Sequence, residues 1–279
     1  MTGIGVLAEL VRAPAALTVP GDVLAGAAAA GRPMDRSLAG LAVGSVCLYW
    51  AGMALNDYAD RDLDRVERPE RPIPSGRVSP GLALGIAAGL TGAGVVCAGL
   101  AGGRSALGVA VPLAATVWLY DLAAKNSPAG PVVMAAARGL NVLMGSGTVR
   151  AGLLPAGLVA AHVLGVTALS RGEVHGTRKE VPLATLSGSG AVAVLAGASR
   201  RLAAAVLAAS YLAAVGGAQS AAVQQPTPGR VRRAVGAGIL GLIPLQAALI
   251  ARRGPAGAGP VSAAAHPLAR ALARRRSVT

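Results

Sequence analysis

The chain has 279 residues, of which 53% are hydrophobic and 14% charged, with mean hydropathy +0.57. Soluble domains carry about 25% charged residues, so an ordinary water-soluble globule is excluded and lipid is implied. The formal charge of +14 would suggest nucleic acid in a soluble protein. Here most basic residues stand at the ends of apolar runs, which fits membrane topology instead and removes nucleic acid as a partner.

Runs of about 20 mostly apolar residues are long enough to cross a bilayer as helices. Nine such segments are expected, at 8–30, 38–58, 82–100, 105–124, 131–149, 153–169, 182–199, 202–222 and 234–251. The fold class is therefore all-α: a polytopic bundle of membrane helices, spanning residues 1–251. The first segment lacks a basic leader and a cleavage site, so it reads as a retained span. Pro20 and Asp22 interrupt it and predict a break. Cys47 and Cys97 lie in apolar runs without CxxC spacing, which argues against a disulfide or zinc framework. Residues 252–279 form a basic, flexible tail.

The links after the second, fourth, sixth and eighth segments hold Arg61, Arg65, Arg68, Arg71, Arg77, Lys125, Arg171, Arg178, Lys179, Arg230, Arg232 and Arg233. The opposite links hold Arg32, Arg36, Arg104, Arg150, Arg200 and Arg201. That bias places the N-terminus inside. The tail runs against it, because Arg252, Arg253, Arg270 and Arg274–Arg276 would then end outside.

Six of the twelve carboxylates lie between Asp57 and Glu70, directly after the uncharged run "LAGLAVGSVCLYWAGMA". If the second helix continues past Tyr58, Asp57, Asp60 and Asp64 follow i, i+3, i+7 spacing and share one face, while Asp62 points away. Asn56 lies one step from Asp57. Three stacked carboxylates repel one another unless neutralised, and hard oxygen ligands suit Mg²⁺ held together with phosphate. The plain alternative is a solvated acidic helix end, paired at i+4 as Asp57–Arg61 and Asp64–Arg68.

The string "NDxxDxxxD…RPxRPIPSGRVS" after a membrane span resembles the first aspartate motif of the UbiA-type intramembrane prenyltransferases. Asn56, Asp57, Asp60 and Asp64 match its acidic positions. Arg68, Arg71, Pro72, Ile73, Pro74, Gly76 and Ser79 match the loop after it. The resemblance implies a nine-helix bundle in which these carboxylates bind an isoprenyl diphosphate through Mg²⁺ at a cytoplasmic mouth. "YDLAAKNSP" resembles the stretch where the family places a Tyr and a basic residue near phosphate, here Tyr120 and Lys125.

The second acidic motif of the family corresponds to "LSRGEVHGTRKEVP". Glu173, His175 and Thr177 stand where acids are expected, with Gly176 and Arg178 retained. This form is similar to the EboC-like branch of the superfamily. Glu173 is then the remaining second-site metal ligand, His175 a phosphate donor or proton carrier, and Arg171, Arg178, Lys179 and Lys125 phosphate clamps.

Asp22, Asp121 and Arg138 are ionisable residues at membrane depth or its edge, where function is the default expectation. Asp121 can pair with Lys125 at i+4. Arg138 and Asn141 share a face and would line the cavity or join helices. His162 is expected to serve core hydrogen bonding. Trp50, Tyr58, Trp118 and Tyr120 would face a carbocation or anchor the interface.

The expected function is Mg²⁺-dependent transfer of an isoprenyl group to an aromatic or hydroxyl acceptor. Asp57, Asp60, Asp64, Glu173 and Lys125 would be catalytic. Asn56, Arg68, Arg71, Tyr120, Asn141, His175, Arg178 and Lys179 would bind substrate. The setting would be a bacterial plasma membrane, with membrane lipid around the protein. The rival reading is a membrane carrier that binds an isoprenoid in the same cavity without transferring it.

Overall fold

A computed structural model describes residues 3–12, 16, 18–255, 257–264 and 266; among these every regular element is helical. The expected first span is two short helices, α1 (Ile4–Leu10) and α2 (Pro20–Ala29). Pro20 opens α2, where its missing N–H costs nothing. The second span is α3 (Arg36–Ala59), whose first turn is capped by Asp35 accepting from the Leu38 amide at 2.9 Å. α3 stops at Ala59, and Asp60 leaves helical geometry (φ −90°, ψ 1°) before α4 (Arg61–Glu67). The uninterrupted helix expected past Tyr58 is thus divided at Asp60.

α5 (Pro80–Leu119) is the expected third and fourth spans joined end to end. Gly103 adopts φ 64°, ψ −153°, a region essentially restricted to glycine. The chain reverses there. The Trp118 indole N–H donates to Thr91 Oγ1 at 3.0 Å, so the two arms run antiparallel. The second arm ends in a π-helical turn, Tyr120–Ala124. Then come α6 (Gly130–Ser146), α7 (Val149–Ser170), α8 (Glu180–Gly197), α9 (Leu202–Gln224), α10 (Pro228–Arg253) and α11 (Ala258–Ala263).

Among the described residues six helices are long and apolar enough to cross a bilayer unaided, with mean hydropathy from 1.3 to 2.0. One of them is the folded α5, and α6 and the α1–α2 pair supply the remaining expected segments. Large apolar side chains such as Val96, Leu100, Leu153, Val194 and Leu202 lie exposed on their outer faces, where lipid takes the place of a core. Arg270 and Arg274–Arg276 lie outside the described residues.

Small residues set the helix spacing. A Cβ at Gly26 of α2 would lie 2.0 Å from the Val142 carbonyl oxygen of α6, and one at Gly145 would lie 2.1 Å from the Val23 carbonyl oxygen. The backbones of α2 and α6 therefore touch, as in glycine-mediated membrane helix pairs.

The links after α4, the π turn, α7 and α9 gather at one end. Lys125 Nζ lies 2.6 Å from Asp60, Arg171 donates to the Ser127 carbonyl, the Thr177 amide donates to the Pro226 carbonyl at 3.2 Å, and Arg232 donates to that of Glu173 at 3.3 Å. At the other end arginines close helix C-termini. Arg32 donates to Gly145 O at 2.8 Å, Arg252 to Leu195 O at 2.6 Å, and Arg201 to Gly254 O. Arg252 thus has a structural duty, which explains one basic residue that counted against the topology.

Two outcomes follow. Gly26→Ala or Gly145→Ala forces α2 from α6 and lowers stability by about 1–3 kcal/mol, read as a fall in thermal midpoint in detergent. Cysteines at the exposed Ser75 and Val174, in a chain lacking Cys47 and Cys97, react from one side of sealed vesicles, the cytoplasmic side by the charge bias.

Candidate active site

The acidic cluster forms where α3 ends. Asp57 and Asp64 are buried, at 4% and 3% exposure, although they belong to different helices. Arg71 joins them, with Nη1 2.7 Å from Asp64 Oδ2 and 3.5 Å from Asp57 Oδ1. Arg12 approaches from the segment after α1, its Nη2 3.1 Å from Asp57 Oδ1. Asp60 turns to Lys125. Asp62 points away, exposed, and meets Arg65 at 2.8 Å and Arg61 at 3.7 Å. The i+4 pairs Asp57–Arg61 and Asp64–Arg68 do not form: the break at Asp60 parts the first, and Arg71 takes Asp64 in place of Arg68.

The loop carrying Arg71 is anchored. Ile73 and Val78 are buried against Leu10, Leu55, Ala83 and Ala87. Arg77 donates to both carboxylate oxygens of Glu9 at 2.7 and 2.9 Å, and Gly76 takes φ 72° to close the turn. The Pro and Gly residues of this loop thereby hold one arginine over two carboxylates.

Below the cluster lies a cavity in two lobes, of about 260 and 330 Å³. Arg12, Tyr49, Met53, Tyr120, Met134 and Arg138 face both. The smaller lobe reaches Asn56, Asp121 and Asn141 between α3, α5 and α6. Asn56 donates to Asp121 Oδ1 at 3.1 Å, so Asp121 does not depend on Lys125, the partner its spacing suggested. The larger lobe opens between α7 and α10 and reaches Arg68 and Glu173. Half-burial pushes the Glu173 carboxyl above its ordinary range, and the charges of Arg232 and Arg68 oppose that rise.

The deep wall carries a polar network. Asp22, fully buried, meets Arg138 Nε at 2.9 Å, Asn141 Nδ2 at 3.0 Å and Gln246 Nε2 at 2.6 Å. Ser45 donates to Asn141 Oδ1 at 2.6 Å. His162 is a core hydrogen-bonding residue, as expected. Its Nε2–H donates to the Gly238 carbonyl at 3.0 Å, which leaves Nδ1 to accept from the Tyr211 hydroxyl at 2.8 Å.

The structure therefore joins Asp57 and Asp64 through Arg71, pairs Asp60 with Lys125, and sets Asn56, Arg68, Tyr120, Asn141 and Glu173 on the cavity wall. It does not bring in His175, Arg178 or Lys179. All three are exposed, line neither lobe, and Arg178 lies 3.6 Å from Glu180. Trp118 ties the arms of α5 together. Arg12 and Tyr49 were missed by the sequence reading. Tyr49 had a signal, since Tyr49, Met53 and Asp57 recur every four residues on one face. Arg12 had none, because it reaches Asp57 across 45 residues.

Three comparisons bear on this arrangement. The sequence pattern of the UbiA prenyltransferase family matches residues 17–242. The chain belongs to the UbiA prenyltransferase family. A digeranylgeranylglyceryl phosphate synthase of Methanothrix thermoacetophila is 41% identical over 95 residues, 34% of this chain and 35% of that protein, so the match spans about a third of the relative. The apo structure of a UbiA homologue from Aeropyrum pernix K1 superposes with TM-score 0.70 at 22% identity, over 84% of this chain and 96% of that one. A UbiA homologue from Archaeoglobus fulgidus bound to DMAPP and Mg²⁺ gives TM-score 0.61 at 14% identity, over 87% and 98%. The likenesses establish the membrane fold. These relatives are archaeal and lend nothing to the bacterial setting expected above.

The cluster generates a graded expectation. Asp57→Ala, Asp60→Ala and Asp64→Ala each abolish Mg²⁺-dependent binding of a prenyl diphosphate, while Asp62→Ala leaves it within about twofold, since an exposed pair contributes little. Arg71→Ala strands the buried carboxylate of Asp64, while Asp57 keeps Arg12, and lowers stability by about 3 kcal/mol. Titration calorimetry and thermal melts of the purified protein check both.

Proposed function

We propose that this protein transfers an isoprenyl group from an isoprenyl diphosphate to a hydroxyl-bearing or aromatic acceptor, with Mg²⁺. One observation carries the reading. Asp57 and Asp64, buried and held by Arg12 and Arg71, lie beside a mainly apolar cavity that Arg12 itself lines. Such a site suits a substrate with a multiply charged head and a hydrocarbon tail.

The donor chemistry, though not the side-chain arrangement, suits the metal. Asp57, Asp60 and Asp64 offer hard carboxylate oxygens, and Glu173 faces the same cavity. Among the described residues no three acidic, His or Cys side chains converge on one point, and Arg12, Arg71 and Lys125 supply the counter-charge. Mg²⁺, when bound, supplies Lewis-acid stabilisation of the leaving diphosphate. Arg12, Arg71 and Lys125 exchange part of their carboxylate pairing for phosphate oxygens, which makes the mouth selective for a diphosphate. Arg68 and Arg232 add positive charge beside Glu173.

The C1–O bond of the allylic diphosphate breaks with its electron pair leaving on oxygen. The acceptor oxygen or ring carbon then bonds to C1 and loses a proton. Met53, Met134, Tyr49 and Tyr120 enclose the cation and keep water from capturing it. The relatives named for digeranylgeranylglyceryl phosphate synthesis make a glyceryl phosphate acceptor the first to try.

Full-length protein in nanodiscs with Mg²⁺, mixed prenyl diphosphates and an acceptor panel is expected to release diphosphate and form a prenylated product by mass spectrometry. EDTA stops this, and Glu173→Ala slows it about 10–100-fold. A carrier would instead return intact prenyl diphosphate after long incubation, with Glu173→Ala leaving binding unchanged. That outcome overturns the transferase reading.

A further inference from the structure

Arg138 is the positive charge in this cavity that the diphosphate site does not use. Its neighbour Asn141 bonds Ser45 of α3, and Ser45 precedes Asp57 by twelve residues, about 18 Å of helix rise. Arg138 lies three residues nearer the mouth on α6, so about 13 Å separate its level from that of Asp57. A guanidinium so deep in a membrane protein is costly and is expected to have a task.

Holding helices together does not exhaust that task. Asp22 is 0% exposed and is satisfied from three sides, by Arg138, Asn141 and Gln246. The guanidinium is not enclosed in the same way. Nε faces Asp22 and Nη2 donates to the Thr18 carbonyl at 3.1 Å, while Nη1 has no hydrogen-bond partner among the described residues. Arg138 faces both lobes of the cavity. A tie serving only the fold would turn both charged groups inward; here the anion is sealed and the cation is left open. An isoprenyl tail gives those N–H groups no acceptor and leaves them desolvated. An oxyanion fits them, because a guanidinium offers paired parallel donors to carboxylate or phosphate.

We infer that Arg138, held in place by Asp22, recognises an anionic group on the isoprenyl acceptor, a carboxylate or a phosphate, and so determines acceptor specificity. The inference rests on the transferase reading of the cavity. With the anion seated on Arg138, the rest of the acceptor extends toward the mouth, where the allylic carbon lies beside the diphosphate.

The test compares matched probes by direct binding to the full chain in nanodiscs, so it needs no turnover. The pairs are 4-hydroxybenzoate against its methyl ester, and a monoalkylglycerol phosphate against the monoalkylglycerol. Wild type is expected to bind the anionic member of at least one pair about 10–100-fold more tightly, the size of a charged hydrogen bond. The pair that shows the preference tells carboxylate from phosphate. Removing Arg138 alone would strand Asp22, so the main variant combines Arg138→Met with Asp22→Asn. It is expected to lose the preference while keeping prenyl diphosphate binding. Arg138→Lys keeps the charge but loses the fork, and is expected to reduce the preference at least about threefold. No preference in wild type, or one that survives the double variant, reduces the Asp22–Arg138 pair to a structural tie. Should the double variant not fold, an unchanged preference in Arg138→Lys overturns the inference equally. Prenyl diphosphate binding without diphosphate release, by contrast, defeats the transferase reading and leaves the probe comparison standing.

Discussion

Asp22, Asp57, Asp64 and Asp121 are buried in a membrane protein, and their neutralisation constrains the remainder of the structure. A buried carboxylate without a partner is costly enough to take a proton or unfold its surroundings. Three of the four draw partners from distant parts of the chain, Arg138, Asn141 and Gln246 for Asp22, Arg12 for Asp57 and Asn56 for Asp121, while Asp64 takes Arg71 from the loop just after α4. Helices α2, α3, α6 and α10, the π turn and the Pro-rich loop are thereby brought into one register. The groups that settle the fold's electrostatics are also the groups nearest the cavity.

This shared duty explains the form of the mouth. Phosphate binding needs cations aimed inward before substrate arrives, and lone arginines at a membrane surface would turn to water. Pairing Arg71 and Arg12 with buried carboxylates holds them in place, and the Arg77–Glu9 bridge with the buried Ile73 and Val78 fixes the loop. Preorganisation of this kind lets a site stabilise developing charge without rearranging. The closeness of α2 and α6, set by Gly26 and Gly145, does the same at depth by bringing Asp22 within reach of Asn141 and Arg138.

The π turn at Tyr120–Ala124 is a smaller instance of structure serving position. In an unbroken helix Asp121 and Lys125 would stack at i+4. The widened turn separates them, so that Lys125 meets Asp60 while Asp121 meets Asn56. π-turns recur at functional sites for this reason.

The sequence by itself determined the membrane class, the approximate ends of the helices, the break before Pro20 and the identity of the acidic cluster. These follow from local patterns: run length, the proline position, and carboxylates at helical spacing in a family motif. It also determined that Asp62 stands apart, because two residues along a helix turn a side chain by about 200°, to the other face. Only the tertiary structure decided who pairs with whom. The i+4 partners suggested by spacing gave way to Arg12 and Arg71, since Asp60 leaves the helix between Asp57 and Arg61, and the loop after α4 carries Arg71 back onto Asp64. Exposure of His175, Arg178 and Lys179 was equally invisible, because a loop's direction depends on what it packs against. Arg138 stood out in sequence as an ionisable residue at membrane depth, sharing a face with Asn141 to line the cavity or join helices. That its carboxylate is sealed while its guanidinium faces a cavity depends on α2, α6 and α10 meeting at one depth, and contacts across more than a hundred residues leave no trace in local spacing.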